Sequence, residues 1–305
     1  MSRFTLTLMS MSLFSLCLHA QQMYDPSYIP VVGEIAFQQG MGPIVFIDEA
    51  HNNYHTMDGR YKPFADLLKA HNCSVIPSKD IVTTGQLQKC DIFVIANALA
   101  PRNLEDWSLP VDDAFGAGEI VALDNWVREG GSLFLIADHM PMPGAIDRLA
   151  RRFGVIFSNG FAWYQGKSSR GLLFVKENET LCRHWITETL LDNRAVDSIV
   201  TFTGSAFRVE VAHRPLLLFG EDMISLEPVK AWEFPEGTRR VQIEGWRQGA
   251  AIEHGKGRVV VFGEAAMFTA QKGGDSSMPV GMQTPAAARN AQLLVNIIRW
   301  LAGGS

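Results

Sequence analysis

The sequence predicts an α/β protein in which a mostly parallel β-sheet is covered by helices and interrupted by an antiparallel, β-rich insertion. Three observations carry this expectation. Between residues 43 and 138, nearly continuous apolar runs alternate with amphipathic segments, as expected for strands buried on both faces with helices laid over them. From about residue 160, short strand patterns follow one another with much Gly and Pro. Near the C-terminus a buried-strand pattern and a long amphipathic helix return. The core is therefore expected from residues 21–159 and 245–305, with 160–244 as an insertion or second lobe.

The elements follow in order. Pro43 to Asp48 (PIVFID), Cys73 to Pro77 (CSVIP), Asp91 to Asn97 (DIFVIAN) and Ser132 to Asp138 (SLFLIAD) read as central strands. Asp58 to Ala70 places Phe64, Leu67 and Leu68 on one helix face. Ala117 to Arg128 places Ile120, Val121, Leu123, Trp126 and Val127 in a stripe that Gly130-Gly131 ends. In the insertion, GLLFV, SIVTF, RPLLLF, VKAWEF and RRVQIE are strand candidates, and Cys182 to Leu191 is the expected helix. Gly257 to Gly263 (GRVVVFG) is a last buried strand, and Ala286 to Leu301 a closing helix.

Residues 1–20 carry one basic side chain, Arg3, and an uncharged run of Leu, Phe and Met, then Ala20 before Gln21-Gln22, the pattern of a cleavable secretory signal peptide. Leu16 before Cys17 is too large for a lipoprotein signal. The expected location is periplasmic or secreted. Cleavage takes the formal net charge from −5 to −6, which argues against a nucleic-acid-binding surface because phosphate binding needs a basic face. No internal apolar run is long enough to span a membrane. Cys73, Cys90 and Cys182 show no C-x-x-C spacing, and none follows a core strand in nucleophile position. The sequence leaves the oligomeric state open.

In an open parallel sheet, ligands sit outside the carboxyl ends of the strands. The first strand ends in Asp48-Glu49-Ala50-His51-Asn52-Asn53-Tyr54-His55, the third in Asn97, the fourth in Asp138-His139 and the late strand in Gly263-Glu264. Three of the seven histidines beyond the signal peptide fall in these loops. His51 and His55, spaced i, i+4, with Asp48, are candidate ligands for a divalent metal such as zinc, although H-N-N-Y-H lacks the glutamate of a zincin helix. The alternative is that Asp48, Asn52 and Asn53 cap the next helix and the histidines line the cleft. Asp138 and His139, at a strand-to-helix turn, are candidates for a carboxylate nucleophile and a general acid/base. Glu264 is either their partner or a carboxylate at a helix start. Glu49, Asn52, Asn53 and Asn97 are candidate substrate contacts. Phe161, Trp163, Tyr164, Trp232 and Trp246 are either core or a platform for sugars.

Together, IDEAHNNYHTMDGRYKPFADLL, DIFVIANAL, WVREGGSLFLIADHMPMPGA, GKGRVVVFGEAAMFTAQ and NAQLLVNIIRWLAG resemble an uncharacterised bacterial family of the class I glutamine amidotransferase-like superfamily, over about residues 43–159 and 245–302. The resemblance implies a flavodoxin-like three-layer core. It does not imply glutaminase activity, because Asp138 or His139 stands where the superfamily's amidotransferases carry a cysteine, and their distal His and Glu pair is not recognisable. Relatives of this kind include sugar-utilisation proteins and accessory domains of gliding-motility and transport systems. Two functional expectations result. One is a hydrolase-like enzyme, with or without a metal, acting on a small sugar-like or amide-bearing molecule. The other is a non-catalytic ligand-binding or envelope-accessory protein using the same cleft.

Overall fold

The computed structural model describes residues 23–165, 171–190, 195–273 and 278–304. The signal-peptide expectation lies outside these residues. The core is a mixed sheet in which, among the described residues, nine strands join. Five run parallel in the spatial order Ser74–Ser78, Ile44–Asp48, Ile92–Ala96, Ser132–Ile136 and Gly257–Phe262. Arg247–His254 then pairs antiparallel with Gly257–Phe262, and Phe207–Val209, Val155–Phe157 and Arg214–Leu218 extend the antiparallel half. The sheet is thus mixed where a parallel one is expected. Arg247–His254 escapes a hydropathy reading because Gln248-Gly249-Ala250-Ala251 is polar and small, although all four residues are buried.

Residues of the parallel strands alternate between two cores, as a period of two requires. Val45, Ile47, Ile92, Val94, Phe134 and Ile136 join Phe64, Leu67 and Leu68 of the helix Lys62–Ala70 and Leu293, Leu294 and Ile297 of the helix Asn290–Leu301. Phe46, Phe93, Ile95, Leu133 and Leu135 join Ile120, Leu123 and Val127 of the helix Ala117–Glu129. Val121, expected in the same stripe, is 44% exposed. Gly130 ends this helix at φ 125, a conformation that favours glycine.

The stretch 160–244 supplies Phe207–Val209 and Arg214–Leu218 to the main sheet and forms smaller sheets of its own. One joins Phe161–Tyr164, Met223–Glu227 and Arg239–Gln242; the other pairs Leu172–Val175 with Ser198–Thr201. Val229 to Phe234, expected as a strand, is a turn instead: Trp232 takes φ 67 and only Lys230 bridges to Ser108. The helix expected over Cys182 to Leu191 is one turn, Trp185–Glu188, closed by His184 accepting from the Ile186 N–H and followed by extended Thr189; Leu191 lies outside the described residues. The first long helix begins at Lys62 because Thr56 to Tyr61 is a turn, and the last at Asn290 after a short 3-10 turn.

Candidate functional site

The loop after Ile44–Asp48 carries most of the ionisable groups, and it divides them between two clusters. In the first, the buried Asp48 carboxylate accepts from His51 Nδ1 at 2.9 Å and from Asn53 Nδ2 at 3.0 Å. His51 Nε2 reaches Glu119 Oε1 at 2.9 Å, and the ring stacks on Phe115 at 3.9 Å between centroids. Glu119 is further held by the N–H groups of Val82 and Gly116. Burial disfavours the imidazolium, but hydrogen bonds to Asp48 and Glu119 and their charges outweigh it and raise the His51 pKa. Glu119 answers in kind: burial opposes its charge, and the two main-chain donors and His51 hold it below the usual carboxylate value.

This geometry does not bring the expected metal ligands Asp48, His51 and His55 together. Both nitrogens of His51 face carboxylates, and His55 belongs to the other cluster. Among the described residues no group of three or more His, Cys, Asp or Glu side chains stands ready to hold a metal.

The second cluster forms where the strands Ile92–Ala96, Ser132–Ile136 and Gly257–Phe262 end. The Asp138 N–H donates to Asn97 Oδ1 at 2.8 Å, and Asn97 Nδ2 faces His55 Nδ1 at 3.2 Å. An amide nitrogen only donates, so His55 Nδ1 accepts and the His55 proton sits on Nε2. That Nε2 is buried and has no hydrogen-bond partner. Burial, reinforced by Arg60 and His139, keeps His55 neutral. Asn97 takes φ 52, which an Asn tolerates better than most residues.

Glu264 is buried, and its two carboxyl oxygens accept from the Ala266 and Met267 N–H groups at 2.9 and 2.8 Å. Burial, then the Asp138 charge, push its pKa well above the usual carboxylate range despite these donors. Asp138 is 8% exposed against 1% for Glu264, so Asp138 is the member of the pair nearer solvent. Gly204, at φ +77, passes so close to the Glu264 side chain that a Cβ there would lie 2.8 Å from Cγ. Tyr61, whose hydroxyl donates to Ala265 O at 3.3 Å, feels both carboxyls; burial and their charges raise it well above 10.0.

His139 lies face to face with Phe161 at 4.5 Å and edge-on to Trp232 at 4.6 Å, with Trp107 at 6.0 Å. Its Nδ1–H donates to Met140 O at 2.7 Å, which leaves Nε2 as the lone-pair nitrogen of the neutral ring. Trp107 in turn meets Tyr54 at 5.5 Å, and Arg60 lies over the Tyr54 ring at 3.8 Å. Of the aromatic residues named from the sequence, Phe161 and Trp232 thus reach His139, whereas Trp246 lies under Arg208.

The other sequence-selected residues are tied to the chain itself. Glu49 accepts from the Met57 N–H, Asn52 Nδ2 donates to Leu99 O, and Asn53 Oδ1 accepts from the His51 N–H. Gly274 and Asp275 lie outside the described residues; Lys272, in the strand Ala270–Gly273, pairs with Asp25 at 3.0 Å. Burial pushes the Cys73 and Cys90 thiols up to about 12, Cys90 with help from Asp91, so neither supplies a thiolate.

Glu119, Tyr54, Arg60, Tyr61 and Trp107 join these clusters without a signal that singles them out in the sequence. Glu119 fills the third position of a helix after Gly116, where a carboxylate has an ordinary capping explanation. Tyr54, Arg60 and Tyr61 are visible only as neighbours of His51 and His55.

A cavity of about 680 Å³ opens at the opposite, amino-terminal edge of the sheet, beside Pro43, Asp91, Ser132 and Gly257. Its polar groups serve the main chain: Asp91 accepts from the Ile44 N–H, Ser132 donates to Leu301 O and Arg258 to Gly304 O. This cavity lies at the other end of the strands from the ionisable clusters, and the chemistry is the better guide to a reaction.

Neither a family model nor a curated protein sequence matches the chain. Among solved structures it is similar to the mmIFT52 N-terminal domain, at 16% identity and TM-score 0.60 over 86% of this chain and 98% of that one. It is also similar to the cytoplasmic protein STM3548 from Salmonella typhimurium, at 12% identity and TM-score 0.50 over 85% and 98%. A thua-like protein from Bacteroides uniformis aligns at 13% identity and TM-score 0.47 over 88% and 95%. At such identities the first two likenesses establish the fold, an α/β chain built on a large mixed sheet.

Proposed function

We propose that this chain is an exported member of the class I glutamine amidotransferase-like superfamily, with a flavodoxin-like three-layer core, in which a carboxyl pair replaces the cysteine site. On this reading it is a hydrolase-like enzyme acting on a small sugar-like or amide-bearing molecule. The observation that carries it is the unequal pair Asp138 and Glu264. A buried carboxyl held above the usual carboxylate range beside a more accessible one is the arrangement that acid–base chemistry uses near neutral pH. Asp138, the more accessible of the two, is assigned as base or nucleophile, and Glu264 as the protonated neighbour that keeps the local charge to one. His139, with its Nδ1–H tied to Met140 O, offers Nε2 as a second proton acceptor. Trp232 and Trp107 beside it are suited to the apolar face of a sugar ring. No step is assigned to a metal.

A second reading, binding without turnover, is favoured by the burial of Glu264 and by its two main-chain hydrogen bonds, which also describe a structural carboxyl. Both readings meet the same experiment. The mature protein and its Asp138→Asn variant are assayed on a panel of nitrophenyl glycosides and small amides, and their melting temperatures are measured with the parent sugars. Turnover abolished in the variant supports the enzyme. Thermal shifts without turnover favour the binding protein. Neither shift nor turnover across the panel rejects the site.

A further inference from the structure

Arg60 is a half-buried cation that, among the described residues, makes no ion pair. Its Nη1 donates to Tyr54 O at 3.2 Å and its guanidinium lies on the Tyr54 ring, while its Nε is buried without a partner. Burial lowers its pKa, against a small opposing effect of Tyr54. In the same loop His55 is only 3% exposed, and its Nε2–H, placed there by Asn97, is the second buried donor left without an acceptor. Both lie against Tyr54, whose ring centroid is 5.9 Å from that of His55. Two orphaned donors on one short loop are costly, because a buried N–H without a partner has given up its hydrogen bonds to water and gained none in return. What would satisfy them is an acceptor, and the nearby positive charge favours a negative one.

Resting on the assignment of the site to Asp138 and His139, we propose that Arg60 and His55 form an anion-recognition subsite beside that site, and that the ligand carries a carboxylate, as an acidic sugar does. The aromatic path from Arg60 over Tyr54 and Trp107 to His139 joins this subsite to the carboxyl pair. A guanidinium presents paired donors that match a planar carboxylate. One cation balances one carboxylate; a phosphomonoester would bring a second negative charge towards the Asp138–Glu264 pair. The subsite makes Arg60 a specificity-determining residue, with Tyr54 as the platform that holds it.

The test compares matched ligands on the full mature chain by calorimetric titration: glucuronate against glucose, galacturonate against galactose, and inorganic phosphate alone. The acids are expected to bind at least about tenfold more tightly than their neutral partners, the scale of one charge-assisted hydrogen bond. In Arg60→Gln the acid-to-neutral ratio should fall to about one, and in Arg60→Lys it should be partly kept, with circular dichroism and melting curves confirming that both variants fold. Equal binding of acid and neutral sugars, or an unchanged ratio in Arg60→Gln, overturns the proposal and leaves the two donors to a structural water. Phosphate competing as well as the uronates overturns the carboxylate assignment. If neutral sugars bind in a way that Asp138→Asn abolishes while the acids gain nothing, this inference fails alone. If no probe binds, the site assignment fails with it.

Discussion

The main-chain N–H of Asp138 donates to Asn97 Oδ1 at 2.8 Å, and this one bond sets the chemistry of a histidine on another loop. It fixes which end of the Asn97 amide faces His55, and hence which His55 nitrogen carries the proton. Replacing Asn97 by Asp puts an acceptor on both sides. His55 should then move its proton to Nδ1 and become easier to protonate, which imidazole nitrogen chemical shifts report directly. An Asn97→Asp protein whose His55 keeps the Nε2–H form would contradict the assignment.

Asn97→Ala removes the same acceptor and places a β-carbon residue at φ 52. The buried Asp138 N–H is left unpaired, so a loss of about 2 kcal/mol in unfolding free energy is expected from denaturant titration. A change below about 0.5 kcal/mol would mean that water takes over the acceptor role.

The His51 bridge predicts a pH dependence with a definite sign. The folded His51 pKa lies above its ordinary 6.5, so its stabilisation is complete below 6.5 and is lost as pH rises through the folded value. Glu119 is lowered from 4.5, so its contribution is present above 4.5 and lost as pH falls through its own folded value. Melting temperature should peak between these limits for this pair of groups and decline on the alkaline side. His51→Gln should flatten that alkaline decline and cost about 3 kcal/mol, because it strands two carboxylates with little exposure. A parallel pH profile in the variant would remove His51 as the cause.

Glu264 is raised, so the folded protein disfavours its ionisation and this carboxyl costs stability increasingly as pH rises above 4.5. Asp138→Asn removes the neighbouring charge. The carboxylic acid band assigned to Glu264 by infrared spectroscopy should persist to higher pH in the wild type than in Asp138→Asn. Identical titrations would show that burial alone sets the value.

Trp232 is 47% exposed and touches His139 edge-on. Trp232→Ala is expected to change stability by no more than about 0.5 kcal/mol, as exposed sites generally do, while weakening ligand binding in the same titrations. Unchanged affinity would remove the aromatic platform from the site.

The strands of the parallel half were legible because burial on both faces demands uninterrupted apolar residues, as in Ile92–Ala96 and Ser132–Ile136, all of them buried. Arg247–His254 was not, since Gln248, buried and bonded to Thr201 and Thr203, takes its place in the sheet through polar contacts that hydropathy does not register. The same holds for Val229 to Phe234, whose aromatic content suggests a strand but whose Trp232 serves a turn that reaches His139.

By itself the sequence determined that Asp, Glu, His and Asn gather at the carboxyl ends of buried strands, because the strand pattern says where each strand stops and the next residues are read off directly. Tertiary structure alone decided their partnerships. The i, i+4 spacing of His51 and His55 brings two rings together only on a helix. Here Asn52 takes φ 49, so the loop sends His51 to Asp48, Phe115 and a glutamate 68 residues away, and His55 to Asn97 and Tyr61. The proton position on His55 follows from its contact with Asn97, 42 residues away in the chain, which no local pattern encodes.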